Sequence, residues 1–462
     1  DLYRVVGNLV DNTIDPLDMR VDLNITSAES AVWTGEVGGT ADGNWDVNPD
    51  ADGTAGTFNW KTSVFGTPTR YAQGPVNTDQ VTFDDNLSAT GTTTVNLTTT
   101  LTPLHILVNN STDKTYTFTG TGKLSGETSL EKDNSGTLII ANTALNDFTG
   151  GTIITTGTLQ LGDGTTLNAG RISGAIANSA DLVFNHPDAM SSDNTITGSN
   201  GFVLKKGTNT LKLSGNNTYS GGTTISKGTL VAAANNAFGT NGVTLGDDES
   251  GMDTITLSLD NRADVGNAVI VSSNGGLATL AASNTGTGTT NPASFTGTIT
   301  LDRATTFRSD LVGDRLLFTG KITSTDTSTP VNLTIAGGQN VTLQGTASDF
   351  TGTLSVTGSG TVLQASNNTV GEVIPDAVTV DLATGTFLKL FGTTTENLGR
   401  LTGTGKVFKF KYFRFNLKCT RTRSRRRVHM CTREARLRSQ LGMEGTRSQC
   451  FGPSSVATRR VT

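Results

Sequence analysis

The chain has 462 residues, of which 34% are hydrophobic, 16% are charged and 55 are glycine. This length exceeds one compact core, no apolar stretch is long enough to span a membrane, and β-branched residues with regular glycines favour strands over disorder. The net charge of −5 conceals two regions, since residues 1–407 hold 20 Lys and Arg against 38 Asp and Glu, whereas residues 408–462 hold 15 against 2.

The N-terminal part differs in composition from the rest of the chain. We assign nothing to residues 1–30, which we interpret as a leader or as the end of a preceding segment. Residues 31–115 contain all three tryptophans, Trp33, Trp45 and Trp60. Because the end of a strand stack must be covered, this region is interpreted as a Trp-rich cap or small β module.

The most regular part of the chain is a unit that occurs twice. Residues 130–161 read LEKDNSGTLIIANTALNDFTGGTIITTGTLQL and residues 203–230 read VLKKGTNTLKLSGNNTYSGGTTISKGTL, with Lys132 equivalent to Lys205. Aliphatic residues at every second position predict short strands with one apolar and one polar face. Such strands between glycine turns are typical of a solenoid. We therefore predict an all-β chain in which residues 116–407 form β-helix coils of roughly 22–25 residues each.

These two copies resemble the autotransporter-associated β-strand repeat, also called the passenger-associated transport repeat. The Trp-rich opening and the closing stretch 375–407 are similar to the modules that flank such repeats in large bacterial surface proteins. The resemblance implies a right-handed parallel β-helix, secreted or located at the cell surface in association with the bacterial outer membrane. The repeat is structural, so the resemblance implies no functional residues.

Catalysis is the first alternative. Asn77-Thr78-Asp79 and Asp84-Asp85 resemble, in their letters, the acid motifs of β-helix polysaccharide hydrolases, and glycoside cleavage requires two carboxylates roughly 5–10 Å apart. In those enzymes the motifs are separated by about a coil, and their Gly-His-Gly and Arg-Ile-Lys partners are missing here, with Arg171-Ile172-Ser173 as the nearest substitute. We therefore expect Asx turns and no catalytic residue.

The remaining candidates are isolated in the sequence. His105 and His186 lack the paired spacing of a zinc site, so hydrogen-bonded or solvated loop histidines are expected. The acidic turns Gly162-Asp163-Gly164 and Asp247-Asp248 match neither an EF-hand nor a calcium-dependent β-roll, which leaves weak calcium binding as an alternative. The tryptophans could form a sugar platform, although burial is favoured. We predict no metal and no cofactor.

From Phe408 the Gly/Thr pattern gives way to an Arg-rich segment that contains every cysteine, namely Cys419, Cys431 and Cys450. A basic arm could bind polyanions through phosphate contacts and counterion release. The segment lacks a folded nucleic-acid-binding motif, and its abrupt onset favours residues from an altered reading frame. We predict a tail that is disordered or out of frame.

Taken together, these patterns predict a non-catalytic, secreted or cell-surface scaffold of the adhesin-like kind. Its expected partners are extracellular polysaccharide or the surface of a partner cell, with no specific nucleic acid and no membrane span in this chain. A β-helix hydrolase or lyase acting on polysaccharide is the first alternative, and polyanion binding through residues 408–462 is the second.

Overall fold

The protein is described by a computed structural model, which covers residues 5–11, 21–47, 57–74, 78–87, 89–260, 263–282, 292–310, 315–326, 328–345, 347–367, 372–392, 395–409 and 414–417. Within these ranges every regular element is a β-strand and none is a helix, which confirms the predicted all-β class. The chain divides into two units, Asp1–Leu257 with Asn274–Gly276, and Ser258–Ser273 with Leu277–Thr462. The four segments proposed from composition stay a prediction.

The first unit consists mainly of short strands separated by turns. The strand β28 (Ile255–Leu259) contains the boundary between the units. The complete strands of the first unit are β1 (Val5–Asp11), β2 (Val21–Ala28), β3 (Ala31–Trp33), β4 (Glu36–Val37), β5 (Thr40–Ala41), β6 (Asn44–Trp45), β7 (Trp60–Thr62), β8 (Pro68–Thr69), β9 (Val81–Asp84), β10 (Thr94–Leu97), β11 (Thr100–Leu101), β12 (His105–Asn109), β13 (Thr115–Gly120), β14 (Lys123–Leu124), β15 (Ser129–Asp133), β16 (Thr137–Ile140), β17 (Thr152–Ile154), β18 (Thr158–Leu161), β19 (Ile176–Asn178), β20 (Asp181–Phe184), β21 (Met190–Ser192), β22 (Ile196–Thr197), β23 (Phe202–Lys205), β24 (Thr210–Leu213), β25 (Gly222–Ile225), β26 (Gly228–Ala232) and β27 (Val243–Leu245).

Three parallel sheets carry most of these strands. Sheet 1 runs in the order β6-β10-β13-β16-β18-β20-β23-β25-β27, sheet 2 contains β3-β9-β12-β15-β17-β19-β22 with β7 and β8 antiparallel beyond β3, and sheet 3 contains β21-β24-β26. Successive strands of the chain alternate between sheets, so the unit winds as a parallel β-solenoid, as predicted. In sheet 1, Thr137 pairs with Thr158 and Phe202 pairs with Gly222. These two coils are shorter than expected, whereas the coils from Thr115 to Thr137 and from Thr158 to Asp181 have the expected length. The right-handed sense of winding stays a prediction.

Side chains that point inward form ladders from coil to coil, because parallel strands in register place equivalent residues one above the other. In sheet 1 the side chains of Phe184, Lys205 and Ile225 follow one another along such a ladder. Lys205 and the equivalent Lys132 are both buried, and burial lowers the pKa of each to about 8. Buried ammonium groups need acceptors. The Lys132 Nζ donates to the carbonyls of Asp133 and Asn134 at 2.6 and 2.7 Å, and the Lys205 Nζ donates to those of Gly207 and Lys227.

The two copies of the repeat lie on different faces of the solenoid. Strands β15–β18 of the first copy alternate between sheets 2 and 1, whereas β23–β26 of the second alternate between sheets 1 and 3. Three coils of sheet 1 lead from Thr137 to Phe202, and the stretch of chain from Lys132 to Lys205 is longer than these three coils. Because of these additional residues, each strand of the second copy lies in the next sheet around the coil, compared with its equivalent in the first copy.

The tryptophan-rich region contributes an aromatic cluster to the interior. Trp33, Trp45 and Trp60 are all fully buried, and the ring of Trp45 lies 5.3 Å from Trp60, 5.5 Å from Tyr71 and 5.9 Å from Phe118. Burial was the favoured expectation and is confirmed. A buried ring cannot stack on a sugar, so the alternative of a tryptophan sugar platform is wrong.

The second unit has the same parallel construction. Its strands form the orders β30-β33-β36, β31-β34-β37-β39-β41-β44 and β29-β32-β35-β38-β40-β42-β45, and β43 pairs with β46. The rings of Phe307 and Phe318 stack in its core with centroids 3.9 Å apart. Its strands are β29 (Asp264–Val265), β30 (Val269–Val271), β31 (Ala278–Ala282), β32 (Ala293–Phe295), β33 (Ile299–Leu301), β34 (Thr305–Ser309), β35 (Arg315–Phe318), β36 (Ile322–Thr323), β37 (Leu333–Ala336), β38 (Asn340–Leu343), β39 (Thr353–Val356), β40 (Val362–Asn367), β41 (Thr379–Leu382), β42 (Phe387–Gly392), β43 (Thr395–Leu398), β44 (Arg400–Gly403), β45 (Lys406–Lys409) and β46 (Arg414–Leu417).

The last two strands extend past residue 407, where the repeat domain was expected to end. Within the Arg-rich segment only residues 408–409 and 414–417 are described. The three cysteines and the other residues of the predicted tail lie outside the described residues.

Candidate functional site

The outer face of sheet 1 carries a groove of about 310 Å³, which lies over strands β16, β18, β20 and β23. We call it the outer groove. Parallel register arranges the outward side chains in two rows that cross the strands. The first row is Thr137, Thr158, Asp181 and Phe202, and the second is Ile139, Gln160, Val183 and Leu204.

The first row supplies polar groups to the outer groove. In the part of the chain that the structure describes, the side chains of Thr137, Thr158 and Asp181 have no hydrogen-bond partner. Neighbouring groups desolvate the Asp181 carboxylate and raise its pKa. By contrast, Lys206 at the edge of the groove is paired with Glu249 at 2.8 Å. The groove therefore presents a carboxylate and two hydroxyls, while its cation is already engaged.

The apolar part of the outer groove comes from Val183, Phe202 and Leu204. Val183 is 5% exposed, although it points outward, and the other two are half-buried. Glu131 of the first copy of the repeat is equivalent to Leu204 of the second, and Ser129, just before the first copy, is equivalent to Phe202, just before the second. The repeat therefore does not require apolar outward residues here. Sequence reasoning missed this groove, although a comparison of the outward positions in the two copies would have indicated it.

His105 lies on strand β12 rather than in the expected loop, and it contacts two residues of β15. Its Nδ1 is 2.8 Å from the Ser129 Oγ, and its Nε2 is 3.6 Å from the Glu131 Oε2. These residue types match a serine–histidine–acid array, but the acid of such an array must hydrogen-bond the imidazole, at about 2.6–3.2 Å. The arrangement is therefore an ion pair of the outer face when His105 is protonated.

His186 is buried beside a cavity of about 180 Å³ that is also lined by Arg171 and Asp188. Burial, together with the nearby charge of Lys205, lowers the pKa of His186 to about 4, while Asp188 acts in the opposite direction. The Arg171 guanidinium is engaged with backbone carbonyls. His186 is thus neutral at ordinary pH. In the described residues no group of three or more His, Cys, Asp or Glu side chains is placed to hold a metal ion.

The acid motifs that suggested catalysis are used in backbone hydrogen bonds, while Asn77 lies outside the described residues. Asp84 accepts a hydrogen bond from the backbone amide two positions later in the chain, as in the Asx turn expected there. The three carboxylates accept from the backbone amides of Ala72 (Asp79, 2.8 Å), Asn86 (Asp84, 2.9 Å) and Ser111 (Asp85, 3.0 Å).

The acidic turns considered for calcium are likewise bonded internally. Asp163 accepts from the backbone amides of Thr165 and Thr166 at 2.8 and 2.7 Å. Burial of Asp163 opposes ionisation, but these hydrogen bonds prevail and lower its pKa. Asp247 accepts from the hydroxyls of Ser226 and Ser250. The oxygens that would bind calcium therefore already accept hydrogen bonds within the protein.

Comparison with known proteins identifies the class of solenoid. Residues 130–161 and 203–232 match the passenger-associated transport repeat. These ranges are the two copies that form strands β15–β18 and β23–β26. The chain therefore contains two autotransporter-associated repeats, as the resemblance predicted.

A curated relative is the adhesin BmaC autotransporter of Brucella suis biovar 1 (strain 1330), which is 32% identical over 194 residues. The aligned part covers 34% of this chain and 5% of that protein, so the chain spans only a small fraction of the relative. No solved structure matches the chain. None of the described residues forms a helix long and apolar enough to cross a membrane.

Proposed function

We propose that the chain is a non-catalytic passenger segment of a secreted or cell-surface bacterial protein associated with the outer membrane, and that it acts as an adhesin-like scaffold. The observation that carries this proposal is the pair of passenger-associated transport repeats folded into a parallel solenoid. A relative that shares 32% identity over the aligned part is called an adhesin. A solenoid offers a long surface to a partner without any enzyme cleft.

The expected partners are extracellular polysaccharide or the surface of another cell. Two features support this choice. The outward residues differ between the two copies of the repeat, as with Leu204 and Glu131, while the buried Lys205 and Lys132 are retained. The acidic residues that could serve a hydrolase, such as Asp84 and Asp85, are engaged with backbone amides. The outer surface is therefore the variable part.

Beads coated with the full chain test this proposal. We expect them to be retained on cultured cells or on polysaccharide-coated plates more than albumin-coated beads are. Retention no greater than that of albumin would contradict the scaffold function. Retention that disappears at high salt or on addition of heparin would favour polyanion binding through the basic segment, because such contacts are strongly screened. Steady release of reducing ends from the polysaccharide would favour the hydrolase alternative.

A further inference from the structure

The outer groove combines an apolar and a polar group of side chains. The apolar group contains Phe202 and Leu204, and the polar group contains Asp181 and Thr158, which lie in the same row as Phe202. A pyranose ring has the complementary character, with an apolar face and a rim of hydroxyls. Aromatic rings pack against the face of such a ring, and a carboxylate accepts hydrogen bonds from its hydroxyls.

We propose that the outer groove binds a neutral oligosaccharide, with Phe202 stacked against the face of one pyranose ring and Asp181 and Thr158 hydrogen-bonded to hydroxyls of the rings that follow along the row. This inference rests on the proposed adhesin-like function and names its ligand class and its site. The residue after Phe202 in the same row is Gly222, so the next coil adds no side chain to this row beyond the Phe202 ring.

Charge selects a neutral sugar over an acidic one. Asp181 brings a negative charge into the groove, and the positive charge of Lys206 is already paired with Glu249 at 2.8 Å. The body of the chain is also acidic, with 38 Asp and Glu against 20 Lys and Arg in residues 1–407. An anionic polysaccharide would meet like charges both in the groove and on approach to it.

The geometry also favours a sugar chain over an extended peptide. The groove crosses the middle of sheet 1, where β18 and β20 are hydrogen-bonded on both sides, so no strand edge is free there to pair with a peptide. The two rows run perpendicular to the strands and advance about 4.8 Å per coil. A linear oligosaccharide lying along them would place successive rings over successive coils.

Titration calorimetry with the full chain tests this proposal, using cellohexaose, mannohexaose and laminarihexaose as neutral probes and hexagalacturonic acid as the anionic one. We expect at least one neutral hexasaccharide to bind. Asp181→Asn and Phe202→Ser should each weaken that binding about tenfold, the usual effect of losing a charged hydrogen bond or a stacked ring. Phe202→Ser introduces the residue found at the equivalent position just before the first copy of the repeat, namely Ser129.

Ile153→Ser is the matched control. Ile153 is an outward residue of sheet 2 and is 48% exposed, so its replacement removes a surface aliphatic group outside the groove and should leave the affinity unchanged. Asp181→Asn keeps the shape of a surface side chain and therefore keeps the test valid if Phe202→Ser unfolds. Absence of neutral binding, binding of hexagalacturonic acid alone, or affinities unaffected by both groove variants would overturn the proposal.

The bead assay separates this inference from the proposed function. Beads carrying the Phe202→Ser chain that are still retained on cells, together with no hexasaccharide binding by the original chain, would refute the groove and leave the scaffold function standing. Beads of the original chain that are not retained would refute the scaffold function even if a hexasaccharide binds.

Discussion

Acidification from pH 7 to pH 4 is expected to destabilise the first unit through His186. This side chain is 6% exposed, and burial followed by the charge of Lys205 lowers its pKa from 6.5 to about 4, against the opposing effect of Asp188 and Asp163. The unfolded chain binds a proton near pH 6.5, whereas the folded chain binds it only near pH 4. The contribution is therefore complete above pH 6.5 and is lost as the pH falls. The resulting loss in the free energy of unfolding is about 2 kcal/mol by pH 5 and about 3 kcal/mol by pH 4.

Urea unfolding of the full chain at pH 7, 6, 5 and 4, with His186→Asn measured alongside, gives this contribution. The variant has no imidazole at position 186, so its unfolding free energy should fall less steeply with pH, whatever its stability at pH 7. The chain contains three histidines, so an NMR titration assigned with the variant reports the pKa directly. Parallel pH profiles for the two proteins, or a His186 pKa near 6.5, would refute the reasoning.

Three further predictions concern stability, measured by denaturant unfolding of each variant beside the original chain. Trp45→Ala should lower the free energy of unfolding by about 3–5 kcal/mol, because it removes the ring at the centre of the buried aromatic cluster. A loss below about 1 kcal/mol would contradict this packing. Gly198→Ala should cost about 3 kcal/mol or more, since its Cβ would lie 1.9 Å from the Asn178 carbonyl oxygen. Gly66→Ala, also at positive φ but with nothing within 4 Å, should cost only about 1 kcal/mol, and equal losses would refute the steric argument. Lys205→Ala should cost about 2–4 kcal/mol, because it leaves a cavity and two carbonyls without their donor; an unchanged stability would show that the buried ammonium is dispensable.

The fold could be predicted from the sequence because its signal is local. Leu138 and Ile140, which alternate with Thr137 and Ile139, already specify which face of β16 points inward. The orientation of Lys132 and Lys205 was not predicted, because an isolated lysine in a strand is normally placed outside. Its inward position depends on backbone carbonyls that the following turn presents, and those are not visible in the residue pattern.

The candidate site was not predictable in the same way, because it depends on contacts between coils. Asp181 and Phe202 are separated by a full coil in the sequence and become neighbours only through the register of β20 and β23. The length of a coil in sheet 1 varies from one coil to the next, so a fixed period read from the sequence does not align the outward rows. The two isolated histidines illustrate the same limit, since the Ser129 contact of His105 also crosses between coils.

The displacement of the second repeat by one face explains how such a solenoid separates structure from function. The buried lysine of the first copy lies on sheet 2, and that of the second copy lies on sheet 1. In both copies the ammonium group donates hydrogen bonds to backbone carbonyls inside the coil. The repeat therefore specifies an inward-pointing lysine and the turn that follows it, whichever sheet of the solenoid the lysine occupies. Outward positions carry no such requirement, which is why Glu131 and Leu204 can be equivalent. Under the proposed adhesin-like function, recognition of a partner would then reside in the outward rows, and variation between copies of the repeat is where it should be sought.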